Sequence, residues 1–298
     1  MKKRSLAVLM TGVMAASMMT GVVSVYADAD SKTLTVGFDA QYPPFGYKDD
    51  NGEYVGFDLD LAQEVCDNLG WELVKKPINW DSKDMELNSG SIDCIWNGFT
   101  INGREDDYTW SDPYLNNEQV MVVAADSGIE KLDDLAGKNV VVPAASAALD
   151  ALNSDDNKDL TASFASLTEN PDYNTAFMNL DSGAADAIAV DIGVAKYQLS
   201  QREEGKYVIL DEPIQSEEYG IGFKKGNDEL KDTVWEEVLK LYDAGEVDKL
   251  AEKYEVADML CIGDDEKSDD KKDDAAEDDA SDADTAKEDT ADTAKDAE

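Results

Sequence analysis

The chain has 298 residues, with 67 Asp and Glu against 26 Lys and Arg, a formal charge of -41 and no histidine. A field of that sign repels phosphate backbones and anionic lipid surfaces, so no nucleic-acid partner is expected. The missing histidine removes Ser-His-Asp and Cys-His catalysis, His-bearing zinc sites and imidazole proton shuttles in one step, and no cofactor or metal is expected.

At the start of the chain, Lys2, Lys3 and Arg4 precede a mostly apolar stretch from Leu6 to Val25. Val25-Tyr26-Ala27 then offers the small residues that a signal peptidase reads. Residues 1–27 are therefore predicted to be a signal peptide, removed on export. The rival is an uncleaved anchor, since a span needs about 20 apolar residues, but Thr11, Gly12, Ser17, Thr20 and Gly21 dilute the stretch. No cysteine stands near the cleavage site to carry a lipid.

Thr33 to Phe38 alternates as a strand, with Leu34, Val36 and Phe38 on one face. Gly46–Lys48 and Tyr54–Gly56 flank Asp49-Asp50-Asn51-Gly52. This reads as a hairpin turn, because the acidic cluster lacks the full spacing and terminal Glu of a calcium loop. Asp58 is predicted to cap a helix whose Leu61, Ala62, Val65, Cys66 and Leu69 fall at helical spacing and which Gly70 ends. A strand from Trp71 to Lys75, a helix around Asp81 to Asn88 and an apolar strand from Ile92 to Trp96 follow. Strand and helix alternate, as in an α/β sheet whose ligand site lies at the carboxyl ends of its strands.

Beyond that last strand comes Asn97-Gly98-Phe99-Thr100-Ile101-Asn102-Gly103-Arg104, predicted to be a loop that joins glycine backbone, a hydroxyl and one arginine. A guanidinium presents a planar fork of donors suited to a carboxylate. Taken alone, Arg104 reads first as one half of a surface ion pair, because most charges are solvated.

A second unit of the same kind follows. Leu132 to Lys138 leads into a strand from Asn139 to Val142, and Pro143 to Ala148 opens a helix near Leu149 to Leu152. Small residues there let a ligand approach a helix start. A helix from Asn174 to Ser182 precedes a strand from Ala187 to Val190 and then Asp191. Tyr219 to Phe223 is a strand, and Asp228 to Tyr254 holds two amphipathic helices broken at Ala244-Gly245. The chain is thus expected to cross between two lobes near Asn117–Val122 and Glu217–Phe223. Residues 28–119 form the first part of lobe 1, 120–217 lobe 2, and 218–263 the return to lobe 1.

Residues 264–298 hold only Asp, Glu, Lys, Ser, Thr and Ala. They have no large apolar side chain to offset the entropy of ordering, so a disordered acidic tail is predicted. The three cysteines do not have metal-site spacing. Cys66 and Cys94 are expected as buried thiols, with a bridge between them as the alternative in an oxidising compartment.

Gly37-Phe38-Asp39-Ala40-Gln41-Tyr42-Pro43-Pro44-Phe45 and Val55-Gly56-Phe57-Asp58-Leu59-Asp60-Leu61-Ala62 resemble the opening of the family 3 extracellular solute-binding proteins. Gly98–Arg104 with Ser111-Asp112-Pro113-Tyr114, and Asp133-Leu135-Gly137-Lys138, extend the likeness, which runs from Leu34 to Tyr254. The resemblance implies a two-lobe periplasmic-binding-protein-like fold of type II: two α/β lobes, a two-strand hinge and an amino acid clamped between them. It implies a monomer that hands its ligand to a membrane ABC permease outside the cytoplasm.

By the same resemblance, Arg104 and Thr100 bind the ligand carboxylate, with an added amide from Ser146 or Ala147. Asp191, helped by the Gly98 carbonyl, takes the ammonium. Phe45 and Trp80 wall the side-chain pocket, and Asp39 and Tyr42 contact a polar side chain. Ala144-Ala145-Ser146-Ala147 stands where relatives more often have a Gly-Thr or Gly-Ser pair. Other roles stay open: Asp191 as a helix cap, and Phe45 and Trp80 as core aromatics. The fold also resembles exported cyclohexadienyl dehydratases, which makes arogenate or prephenate turnover the alternative function, with Asp39 and Glu86 or Glu118 as the acid/base pair. A ligand sensor reporting to a membrane receptor is a third reading.

Overall fold

The structure is a computed structural model and describes residues 32–263. The expected signal peptide at 1–27 and acidic tail at 264–298 lie outside the described residues.

The first half of the chain runs β1 (Thr33–Phe38), β2 (Gln41–Tyr42), β3 (Gly46–Lys48), β4 (Tyr54–Val55), α1 (Phe57–Leu69), β5 (Glu72–Pro77), α2 (Lys83–Asn88), β6 (Cys94–Thr100), β7 (Thr109–Trp110) and β8 (Leu115–Ala124). It continues through β9 (Asn139–Pro143), α3 (Ala147–Asn153), α4 (Lys158–Ser163), β10 (Ser166–Asn170), α5 (Tyr173–Asp181), β11 (Ala187–Asp191), α6 (Ile192–Ser200), β12 (Tyr207–Ile209), β13 (Gln215–Phe223), α7 (Asp228–Asp243) and α8 (Glu246–Lys253).

Ten strands share one sheet whose main path is β10-β9-β11-β8-β13-β6-β1-β5. On one side β1 pairs in parallel with β5 and β6; on the other β9 pairs in parallel with β10 and β11. The antiparallel pair β8 and β13 joins the two sets, in register from Leu115 opposite Tyr219 to Gln119 opposite Gln215. Residues 117–122 and 217–223 lie in these two central strands.

Alternation along β8, β9 and β11 sorts side chains into two of the three apolar clusters of the described residues. In β8, β9 and β11 the side chains of Met121, Val123, Val140, Val142, Ala187 and Ala189 pack into one apolar cluster. Their neighbours Val120, Val122, Val141, Ile188 and Val190 face the other, larger one. All residues of β6 and β11 are buried, so these strands are covered on both faces and carry apolar side chains in both orientations.

Local chemistry explains most boundaries. Gly70 ends α1 at φ 67°, a left-handed cap that glycine adopts at no steric cost. The β3–β4 turn is tied by Asp49 Oδ1, which accepts from the amides of Asn51 (3.0 Å) and Glu53 (2.8 Å), a turn role as expected. The two C-terminal helices part at Gly245, φ 72°.

Two expectations change. Helix α1 starts at Phe57 with Gly56 as its cap residue, so Asp58 does not cap it. Its buried carboxylate turns into the fold, accepting from the Gly98 amide (2.5 Å) and the Tyr114 hydroxyl (2.9 Å). Second, β6 continues through Thr100, because Phe99 and Thr100 pair with Gly220 and Tyr219 of β13; only Ile101 onward is loop. Cys66 and Cys94 are buried free thiols, as expected, without a bridge, and burial pushes Cys66 up to about 12. The elements α4, β10 and β12 carried no sequence expectation. Among the described residues no helix is long and apolar enough to cross a membrane.

Candidate ligand-binding site

All six parallel strands end at one cavity of about 330 Å³. Asp39 and Tyr42 follow β1, Trp80 and Asp81 follow β5, and Gly98 and Thr100 close β6 with Arg104 beyond. From the other set, Ser146 and Ala147 follow β9, Asp172 and Tyr173 follow β10, and Asp191 is the last residue of β11. Strand carboxyl ends flanking a crevice are where α/β sheets hold ligands.

The donor side is built around Arg104. Its Nη1 donates to the Thr100 carbonyl (3.3 Å) and its Nη2 to Asp150 Oδ2 (2.6 Å), while the guanidinium carbon lies 5.6 Å from the Phe99 ring centre. Both sequence readings of Arg104 therefore coexist: it lines the cavity and it forms an ion pair. The Thr100 hydroxyl donates to Glu217 Oε1 (3.0 Å), so it offers the cavity lone pairs and not the donor expected for a ligand carboxylate. Ser146 uses its hydroxyl locally, donating to the Pro143 carbonyl (2.7 Å) and accepting from the Leu149 amide (3.2 Å). What Ser146 and Ala147 can offer a ligand is main chain, presented by Ala145 at φ 53°, a left-handed conformation that is strained for any residue with a Cβ.

The acceptor side is richer. Asp191 makes no side-chain cap on α6. Instead its Oδ1 accepts from Asn117 Nδ2 (3.1 Å), Gln119 Nε2 (2.6 Å) and the Tyr219 hydroxyl (2.6 Å), and its Oδ2 from the Tyr173 hydroxyl (2.9 Å). Asp39 accepts from the Gln41 amide (2.8 Å). Burial raises its carboxyl above the usual range; the Gln41 amide opposes the shift and the negative charge of Asp172 adds to it. Asp172 accepts from the Thr175 amide (2.7 Å) and hydroxyl (3.0 Å) at the start of α5. With Asp81, four carboxylates and one arginine line the cavity.

Trp80 stands edge-on to Phe99 with ring centres 5.5 Å apart and lines the cavity. Phe45, expected in the wall, does not reach it. It is fully buried, 5.3 Å from the Tyr42 ring and 5.4 Å from the Tyr219 ring. It props these residues from behind, where a large aromatic gains more from packing than a wall position offers. Glu86, one candidate acid/base partner for Asp39, is held by Lys76 (2.9 Å) away from the cavity lining, and Glu118 lies outside that lining too.

Several residues of the site escaped the sequence reading: Asn97, Asp81, Asp172, Tyr173 and, behind the lining, Asn117, Gln119 and Glu217. Asp172 had a legible signal as an N-cap before Thr175, but a cap is not a site signal. Asn117, Gln119 and Glu217 are polar residues buried in strands, where each needs a partner, but nothing in the local sequence marks them as buried.

A two-lobed α/β sheet with a charged cleft at the carboxyl ends of both parallel sets defines a ligand-binding protein of the type II periplasmic class. Comparison with known proteins agrees: residues 34–257 match the model of the bacterial extracellular solute-binding proteins, family 3, and the chain belongs to that family. It is 30% identical over 259 residues to the L-cystine-binding protein TcyJ of Escherichia coli (strain K12), covering 83% of this chain and 95% of that one. Among solved structures, an ABC uptake transporter substrate-binding protein from Streptococcus pneumoniae with bound histidine superposes with a TM-score of 0.71 at 29% identity, covering 74% of this chain and 92% of that chain. The ancestral amino acid-binding protein AncCDT-1, a precursor of cyclohexadienyl dehydratase, matches with a TM-score of 0.67 at 32% identity over 74% of this chain and 95% of that chain.

Proposed function

We propose that the exported, mature protein is a monomeric receptor that captures an amino acid carrying a second, positively charged nitrogen and delivers it to a membrane ABC permease. The observation that carries this reading is the charge of one cavity, four aspartates against one arginine. Arg104 suits the α-carboxylate and Asp191 the α-ammonium, and the remaining carboxylates Asp39, Asp81 and Asp172 favour a cationic group at the far end of the ligand. Arginine, lysine, ornithine and cystine have such a group; glutamate and glutamine do not. Closure excludes water and strengthens each of these contacts.

The test is a melting series with each amino acid. Saturation at about 100 times the dissociation constant adds roughly 2.7 kcal/mol, expected with the dicationic or diamino ligands and absent with glutamate. A shift with glutamate alone would overturn the ligand class, and no shift with any amino acid would overturn the receptor reading. Prephenate and arogenate are expected to pass unchanged, since neither Glu86 nor Glu118 joins Asp39 in the cavity. Measured turnover would restore the enzyme alternative.

A further inference from the structure

Behind the cavity, the central strands carry a second buried carboxylate. Glu217 Oε1 accepts from Asn117 Nδ2 (2.7 Å), Gln119 Nε2 (2.7 Å) and the Thr100 hydroxyl (3.0 Å). The same two amides also donate to Asp191 Oδ1, at 3.1 and 2.6 Å. Two carboxylates thus share one pair of donors, both are buried, and neither has an ion-pair partner among the described residues.

The polar accounting is one-sided. Glu217 Oε2, Asn117 Oδ1 and Gln119 Oε1 are all buried without a donor. The amides cannot be turned round to help, because their oxygens would then face carboxylate oxygens. The cluster lacks protons rather than acceptors, and an unpaired buried carboxylate carries a desolvation penalty. Two remedies fit the chemistry: a proton on Glu217, or a positive charge brought to the cavity face, where Asp191 and Thr100 line the wall.

We propose that Glu217 is a positioning residue for the ligand's ammonium group, carrying a proton in the protein alone and releasing it to solvent when the cation settles against Asp191 and Thr100. The proton leaves the Glu217 carboxylic acid, the carboxylate stays behind, and the ammonium keeps its own protons; no other bond changes. The ionised Glu217 then faces a cation through the Asn117 and Gln119 amides and the Thr100 hydroxyl, which holds its lone pairs free to accept from the ammonium.

The surroundings leave Glu217 as the group that titrates near neutrality. Thr100 approaches from β6, Asn117 and Gln119 from β8 and Asp191 from β11, with Tyr219 on the same strand and Tyr42 and Tyr173 beyond. Burial first, and the charge of Asp191 second, raise Glu217 to about 7. Burial likewise holds the three tyrosines well above their ordinary value, so they stay neutral. This inference rests on the reading of the cavity as an amino-acid site.

The test is calorimetric titration with L-arginine, L-ornithine and L-cystine in buffers of different ionisation enthalpy. For whichever binds, release of about half a proton per site is expected at pH 7, given a group that titrates at about 7, and the dissociation constant should fall as pH rises from 6 to 8. Glu217→Gln should still bind, with no proton release and no pH dependence across that range. If Glu217→Gln does not fold, the Glu217 carboxyl carbon resonance of the wild type reports instead, moving from the acid to the carboxylate position on ligand addition at pH 6.5. Binding without proton release, or release that survives in Glu217→Gln, overturns the proposal while leaving the receptor reading intact. If none of the three binds, the ligand class fails and the proposal falls with it; the receptor reading fails only if no amino acid shifts the melt.

Discussion

Arg104 Nη2 donates to Asp150 Oδ2 at 2.6 Å, joining the only arginine of the cavity lining to a carboxylate on α3 from the opposite set of strands. The Arg104 side chain keeps 15% of its exposure and Asp150 68%. A ligand carboxylate and Asp150 therefore compete for one guanidinium, and the protein's own carboxylate is the more solvated, weaker competitor.

Removing the competitor should tighten binding. An exposed pair is worth about 0.2–1 kcal/mol, so Asp150→Ala is expected to lower the dissociation constant by roughly 1.5- to 5-fold. Isothermal titration with L-arginine checks this, and weaker binding would show that Asp150 supports the site instead. Arg104→Ala is expected to weaken binding by about 100-fold or more, as loss of a charged bidentate contact implies. Its effect on the unliganded melting point should be small.

Asp58 couples the fold to pH. Burial raises it to about 7 from an ordinary 3.8, so between those values the folded chain binds more protons than the unfolded chain. Stability is then highest below pH 4 as far as this group is concerned, and falls as pH rises through 7. Glu217 acts with the same sign, from 4.5 up to about 7. Calorimetric melting from pH 4 to 8 should show this decline, and Asp58→Asn should flatten it. Asp58→Ala leaves the Gly98 amide and the Tyr114 hydroxyl without their partner and is expected to destabilise by about 2–4 kcal/mol.

Ala145 holds φ 53° beside the cavity. The left-handed region costs a non-glycine residue about 1–2 kcal/mol, part of which glycine returns through the greater freedom of the unfolded chain. Ala145→Gly is expected to raise stability by about 0.5–1 kcal/mol, or roughly 2 °C in melting point. Ala145→Val should lower it, because β-branching tolerates this backbone least. A fall with glycine would show that the strain is absent.

Phe45 separates packing from contact. Phe45→Leu keeps most of the buried volume, so it is expected to lower stability by about 1 kcal/mol and leave affinity within a few fold. Phe45→Ala should lose about 3–5 kcal/mol of stability. If Phe45→Leu instead abolishes binding at unchanged stability, Phe45 touches the ligand. Gly193 tests the same packing from outside: a Cβ there would stand 2.8 Å from the Phe45 ring.

Local patterns in the chain specify which segments form strands and helices, and mark much of the cavity lining. Alternation in Thr33–Phe38, the apolar run ending at Trp96 and the glycines at 70 and 245 act over a few residues, so they are legible without the fold. Arg104 and Thr100 were legible because they stand at or just beyond the carboxyl end of an apolar strand, which must face the crevice of an α/β sheet; Asp191 was legible through the family resemblance. Only the tertiary structure decided what those groups bond to. Asp58 looked like a helix cap until β6 brought the Gly98 amide to it, Phe45 looked like a wall until Tyr42 and Tyr219 enclosed it, and Arg104 met Asp150 46 positions away. Glu217 had no local signal at all. Its environment comes from β6, β8 and β11 converging on one point, and burial and shared donors are properties of that convergence rather than of any stretch of chain.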